Sequence, residues 1–146
     1  MKKIKLLFVT VLVLSVFFSS CTKDEGPVDM ALVIGKWNFN KTSFTQGVIT
    51  TAESEYSGNE AGCSKDYIEI KSGGVAKAGD YTSGCVLSQQ EGTWVANGNS
   101  LKVTVTGSSL GGDFQVVSVT NTEMVLKITT VQSGITITVN QTFTKA

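Results

Sequence analysis

The 146-residue chain has no histidine, no arginine and a single proline. Without histidine there is no Ser-His or Cys-His nucleophile, no imidazole metal ligand and no ordinary general base near neutral pH. Catalysis would rest on carboxylates, tyrosines or lysines. Asp66, Tyr67, Tyr81 and Glu91 are the plausible acid or base groups, and nothing in their spacing places them together, so the chain is not read as an enzyme and no cofactor is implied. Without arginine there is no planar fork for bidentate readout of guanine or phosphate. Nine lysines against twelve acids follow residue 20, a formal charge of −3 for that part of the chain. Nucleic acid is therefore excluded as a partner, because its electrostatic footprint is missing.

Long apolar runs are also absent, with one exception at the start. Met1-Lys2-Lys3-Ile4-Lys5 is basic, and Leu6 to Phe18 is apolar almost throughout. This charged-then-apolar layout is that of a secretory signal, and the run is too short to cross a bilayer as a mature helix. Ser19-Ser20 precede Cys21, and Phe18-Ser19-Ser20-Cys21 resembles the bacterial lipobox, with Phe18 in place of the usual leucine. The resemblance implies cleavage before Cys21, acylation of its thiol and a durable membrane anchor. Thr22 to Pro27 is polar and charged, as suits a solvated tether. Cys-x-Lys-Asp-Glu over Cys21 to Glu25 is similar to the export signal of surface lipoproteins in Bacteroidota. That implies an outer-membrane lipoprotein displayed on the cell surface, with the periplasmic face as the alternative. The expected division is a signal peptide over 1–20, a lipidated tether over 21–28 and one domain over 29–146.

That domain is rich in Thr, Val, Ile and Ser, punctuated by glycine, with no sustained helical period, and it reads as antiparallel β. Gly92 to Ala96 and Leu101 to Thr106 flank Asn97-Gly98-Asn99-Ser100, a tight hairpin signal. Leu101, Val103 and Val105 alternate with Lys102, Thr104 and Thr106. Phe114 to Val119, the strand carrying Met124, Leu126 and Ile128, and Ile135 to Phe143 continue the pattern. Upstream, Trp37 to Phe44, Val48 to Glu53, Tyr67 to Lys71 and Val75 to Ala78 are shorter strands. Eight or nine strands in meander order predict a closed antiparallel barrel, which removes exposed edges. Asp29 to Ile34 predicts one helical turn, capped by Asp29, plugging one end.

Gly35-Lys36-Trp37, opening the first strand after that turn, resembles the Gly-x-Trp signature of the lipocalin and calycin barrels. The order of Cys63-Ser64-Lys65-Asp66-Tyr67-Ile68, Gly73-Gly74, Cys85, Gly92-Thr93-Trp94 and Asn121 to Leu126 is similar to lipocalin-like lipoproteins of Bacteroidota. The resemblance implies a barrel floor built on Gly35 and Trp37. Vertebrate-type lipocalins pack an arginine over that tryptophan; here Lys145 is the stand-in. Ligand residues expected on the inward face are Phe39, Trp94, Val103, Val105, Phe114, Met124, Leu126 and Ile128.

With Cys21 acylated, Cys63 and Cys85 remain, and in an oxidising compartment a disulfide is the expected state, worth about 3 kcal/mol on the chain-entropy account. Two distant thiolates without histidine make a poor metal site. Glu53, Glu55, Glu60 and Asp66 fit no calcium loop and read as a solvated acidic face. Two functions stand: a binding module for a small apolar ligand, or an interaction module presenting Thr42 to Thr51, Ser54 to Gly62 and Gly107 to Gly112 to a surface protein or glycan. An open or filled barrel decides between them.

Overall fold

A computed structural model describes residues 27–146. The signal segment, Cys21 and the tether as far as residue 26 lie outside the described residues. From Val75 onward every strand is joined to the next by a short turn, and each pairs with its predecessor antiparallel: β5 (Val75–Thr82), β6 (Val86–Asn97), β7 (Ser100–Val105), β8 (Gly112–Val119), β9 (Glu123–Gln132) and β10 (Ile135–Lys145). β4 (Tyr67–Lys71) pairs with β5, and β1 (Gly35–Gln46) pairs with both β4 and β10. Eight strands thus close on themselves. Two further pieces, β2 (Ile49–Thr50) and β3 (Ser54–Glu55), lie against the far half of β1, which extends beyond β4.

The expected strand over 48–53 is thus two two-residue pieces, because β1 offers an unpaired edge only past Asn38, and each piece covers part of it. The hairpin turn falls on the four residues expected, Asn97 to Ser100. Asn97 pairs with Ser100, leaving Gly98 and Asn99 at the tip. Gly98 alone is left-handed there (φ +56°), which suits a turn with glycine at its first central position.

The barrel has two unlike poles. At the floor, Met30–Val33 forms a 3₁₀ turn whose first free amide is capped by Asp29: Ala31 N donates to its Oδ1 at 3.0 Å. Trp37 is fully buried, and its Nε1 donates to Val33 O at 2.7 Å, which ties the turn to the first strand. Lys145 is the direct cross-strand partner of Trp37, and its Nζ sits 4.0 Å from the ring centroid. The ammonium also donates to Ile34 O at 2.8 Å, and burial pushes its pKa down. Gly35 makes room for it. Its φ is +140°, and a Cβ there would collide with the lysine's terminal atoms.

Above the floor the interior is lined by buried apolar side chains. Phe143, Ile68, Ile70, Leu101, Met124, Leu126 and Val116 are fully buried with Ala76 and Ala78 between them. The alternation expected in β7 is present: Leu101, Val103 and Val105 are buried and Lys102 and Thr104 exposed. In β1 the alternation breaks. A bulge between Phe39 and Lys41 shifts the register against β10, so Trp37 and Phe39 face inward, and then Thr42 does.

Candidate ligand site

The mouth of the barrel is where β1 ends, β4 begins and the β5–β6, β7–β8 and β9–β10 connections turn. Just inside it lies a cavity of about 160 Å³. Its walls are Phe39 from β1, Phe114 from β8, Ile128 from β9, and Val139 and Gln141 from β10. The β7–β8 connection adds Ser109, Leu110 and Gly111, and Tyr56 closes one side. No lining residue carries a charge.

The walls are held from outside the cavity. Gln141 is buried, and its amide is occupied: Oε1 accepts from Thr42 Oγ1 at 2.7 Å, and Nε2 donates to Lys41 O at 2.8 Å. These two bonds satisfy the polar groups that the Asn40 bulge turns inward, at the height where the buried core gives way to the pocket. Phe39 stacks on Tyr56 with centroids 4.6 Å apart and meets Phe143 at the same distance, so one ring links cavity wall and core.

Tyr56 belongs to the segment between β3 and β4, which must cross the gap where β1 and β4 part. Its backbone N donates to Asn40 O at 2.8 Å. Asn59 clamps the same segment: Nδ2 donates to Phe39 O at 3.0 Å, while Oδ1 accepts from Asp66 N at 2.9 Å. A disulfide joins Cys63 in this segment to Cys85 in the β5–β6 turn, the pair expected from the cysteine count.

Asp66 lies beneath this segment, 1% exposed, and its carboxylate accepts the Tyr81 backbone N–H at 2.8 Å. Burial raises its pKa, the Tyr81 amide opposes the rise, and Asp80, one step beyond the Tyr67–Gly79 pair on the adjacent strand, adds to it. Burial likewise raises Tyr56, with Asp66 and Asp80 contributing. Of the other groups considered as acids or bases, Tyr67 packs under Lys36, whose Nζ is 3.8 Å from its ring, and Glu91 pairs with Lys77 across the β5–β6 ladder. The acidic residues near β3 face lysines, Glu53 with Lys41 and Glu55 with Lys65, both at 3.9 Å. Among the described residues no group of three or more His, Cys, Asp or Glu is disposed to hold a metal.

Of the eight ligand residues expected from sequence, Phe39, Phe114 and Ile128 line the cavity. Val103, Val105, Met124 and Leu126 face inward but are core, packed elsewhere in the interior. Trp94 faces inward near the opposite pole, where its Nε1 donates to Lys71 O at 2.7 Å. Tyr56, Leu110, Val139 and Gln141 line the cavity as well and are not among those eight. Val139 was legible as part of an alternating strand, whereas Tyr56 and Leu110 sit in irregular segments where periodicity says nothing.

A closed eight-strand antiparallel barrel with a tryptophan floor and an uncharged pocket at its mouth is a calycin-type fold. A lipocalin-like domain model matches residues 33–126, and the chain belongs to that family. Its fold is similar to a lipocalin-like protein from Bacteroides uniformis, with a TM-score of 0.54, 12% identity, 79% of this chain and 99% of that one covered. An uncharacterized protein from Bacteroides eggerthii is similar to a like degree, with a TM-score of 0.51, 12% identity and coverage of 77% and 98%. No curated protein matches the chain in sequence.

Proposed function

We propose that this chain is a lipid-anchored, surface-displayed lipoprotein whose barrel binds a small, neutral, apolar molecule of about one ring. The observation that carries the reading is the division of the interior: fully buried apolar side chains from the floor upward, and a pocket at the mouth with uncharged, largely apolar walls. Size limits the ligand. Pockets for drug-sized molecules span about 300–1,000 Å³, whereas a dry cavity of about 150 Å³ lined by aliphatic and aromatic residues takes benzene. At about 160 Å³ this cavity fits the second class. Charge limits it too: the walls offer no charged partner, so an ionised group would stay in water at the opening and only the neutral part of a ligand would be buried.

Support for the anchor is the basic and apolar opening of the chain ending at Ser19-Ser20-Cys21, and for surface display the Lys23-Asp24-Glu25 segment behind it. The test of binding is mass spectrometry of an apolar extract of the protein purified from its native membrane, beside isothermal titration with 4-methylphenol as a single-ring probe. A saturable 1:1 isotherm, lost in Ile128→Trp, supports the reading. No heat at millimolar probe and no co-purifying ligand over repeated preparations would overturn it.

A further inference from the structure

We infer that the binding site continues out of the cavity onto an apolar strip of the barrel rim, and that the ligand is a neutral ring bearing a linear apolar tail. The inference rests on the single-ring reading of the cavity and adds the tail. Directly opposed residues of antiparallel strands share a face. Val139 lines the cavity and is paired with Phe44, and two steps further Ile137 is paired with Gln46. Gln46 is in turn paired with Ile49 of β2. Ile135 has the same parity on β10. These residues therefore extend the cavity-facing side of the sheet upward, beyond the height at which other strands oppose it.

Phe44, Ile49 and Ile135 are 47%, 70% and 45% exposed, an unusual state for large apolar side chains on the inward side of a barrel. The threonines on the other side of this flap are satisfied locally, Thr45 Oγ1 with Thr50 Oγ1 at 3.0 Å and Thr129 Oγ1 with Thr138 Oγ1 at 3.3 Å, while Gln46, Thr130 and Gln132 share the strip's face and flank the apolar row Val139, Ile137 and Ile135. From Thr42 to Thr51 and from Ile128 to Val139 there is no charged residue. Continuity with the cavity wall is what commits the strip to the ligand rather than to a separate partner. Four residue steps from Val139 to Ile135, at ~3.3 Å each, give a track of about 13 Å for a flexible chain.

The test is a chain-length series on the full chain: 4-methyl-, 4-butyl- and 4-octylphenol, each below its aggregation limit, by titration calorimetry. A methylene half-covered by the strip is expected to raise affinity roughly twofold, against roughly fourfold for full burial, with a plateau once the tail outruns the track. Phe44→Ser/Ile135→Ser, two exposed positions outside the core, should leave 4-methylphenol binding within a factor of two and abolish the gain from the tail. Ring binding with no gain from methyl to octyl overturns the strip and leaves the cavity reading standing, as does a gain that persists in the double variant. Failure of all three phenols overturns the cavity reading and the strip with it. Sedimentation showing a dimer that the double variant dissolves, or flotation with phosphatidylcholine vesicles that it abolishes, would assign the strip to a second copy or a bilayer and overturn the inference.

Discussion

Replacing both cysteines of the Cys63–Cys85 bond by serine removes a cross-link over 22 residues of chain. On the chain-entropy account a loop of that length restricts the unfolded ensemble by about 3 kcal/mol at 25 °C. Little else should change. Cys85 is exposed and Cys63 only half-buried, so no core contact is lost, and the segment stays tied by Asn59 and by Tyr56 on Phe39. For about 120 ordered residues the unfolding entropy is roughly 0.25 kcal/mol/K, so the Tm should fall by ~12 °C. Urea denaturation monitored by the fluorescence of Trp37 and Trp94 measures both the free energy and its slope. The slope should rise in Cys63→Ser/Cys85→Ser, because an uncrosslinked unfolded chain exposes more surface. Wild type treated with reductant should coincide with the double variant. A Tm within about 3 °C of the oxidised protein, or an unchanged slope, would refute the argument that the bond acts on the unfolded state.

Three further outcomes follow from the same structure. Lys145→Ala strips the ammonium from Trp37 and leaves Ile34 O without its donor; it should cost about 1–2 kcal/mol in urea denaturation, and Lys145→Arg should recover most of that. Asp66 has a raised pKa in the folded state, so its contribution to stability is fully present below the ordinary aspartate value of about 3.9 and is lost as pH rises through the raised one. The stability difference between wild type and Asp66→Asn should therefore move in favour of the variant from pH 4 to pH 7, and a difference that is flat or moves the other way contradicts the burial argument. Metabolic labelling with a palmitate analogue should mark the wild-type chain and not Cys21→Ala, with protease shaving of intact cells removing the barrel; label retained in the variant refutes the anchor.

Strand polarity was legible wherever one face is core and the other is water, as in Leu101, Val103 and Val105 against Lys102 and Thr104. It was illegible where a strand rises past the core. β5 runs on to Thr82 and β6 begins at Val86, well outside the segments expected from alternation, because near the mouth neither face is deeply buried and the pattern that marks a strand disappears. The floor was readable, since Gly35 and Trp37 form a short motif and Lys145 closes the last strand opposite them. The cavity was only partly so. Its wall and the core draw on the same residue types on the same face, and what separates Ile128 from Leu126 is height along the barrel axis. The Asn40 bulge adds to this by reversing the parity of β1, hiding Thr42 and Phe44 from a reading that assumes strict alternation.

The most direct test of a neutral single-ring site at the barrel mouth is a backbone amide NMR titration of the isotope-labelled chain with 4-methylphenol. Saturable shifts are expected centred on Phe39, Tyr56, Leu110, Ile128 and Val139, with Trp37, Met124 and Lys145 unmoved. Absence of saturable shifts, or shifts centred on the Trp37–Lys145 floor, would contradict such a site.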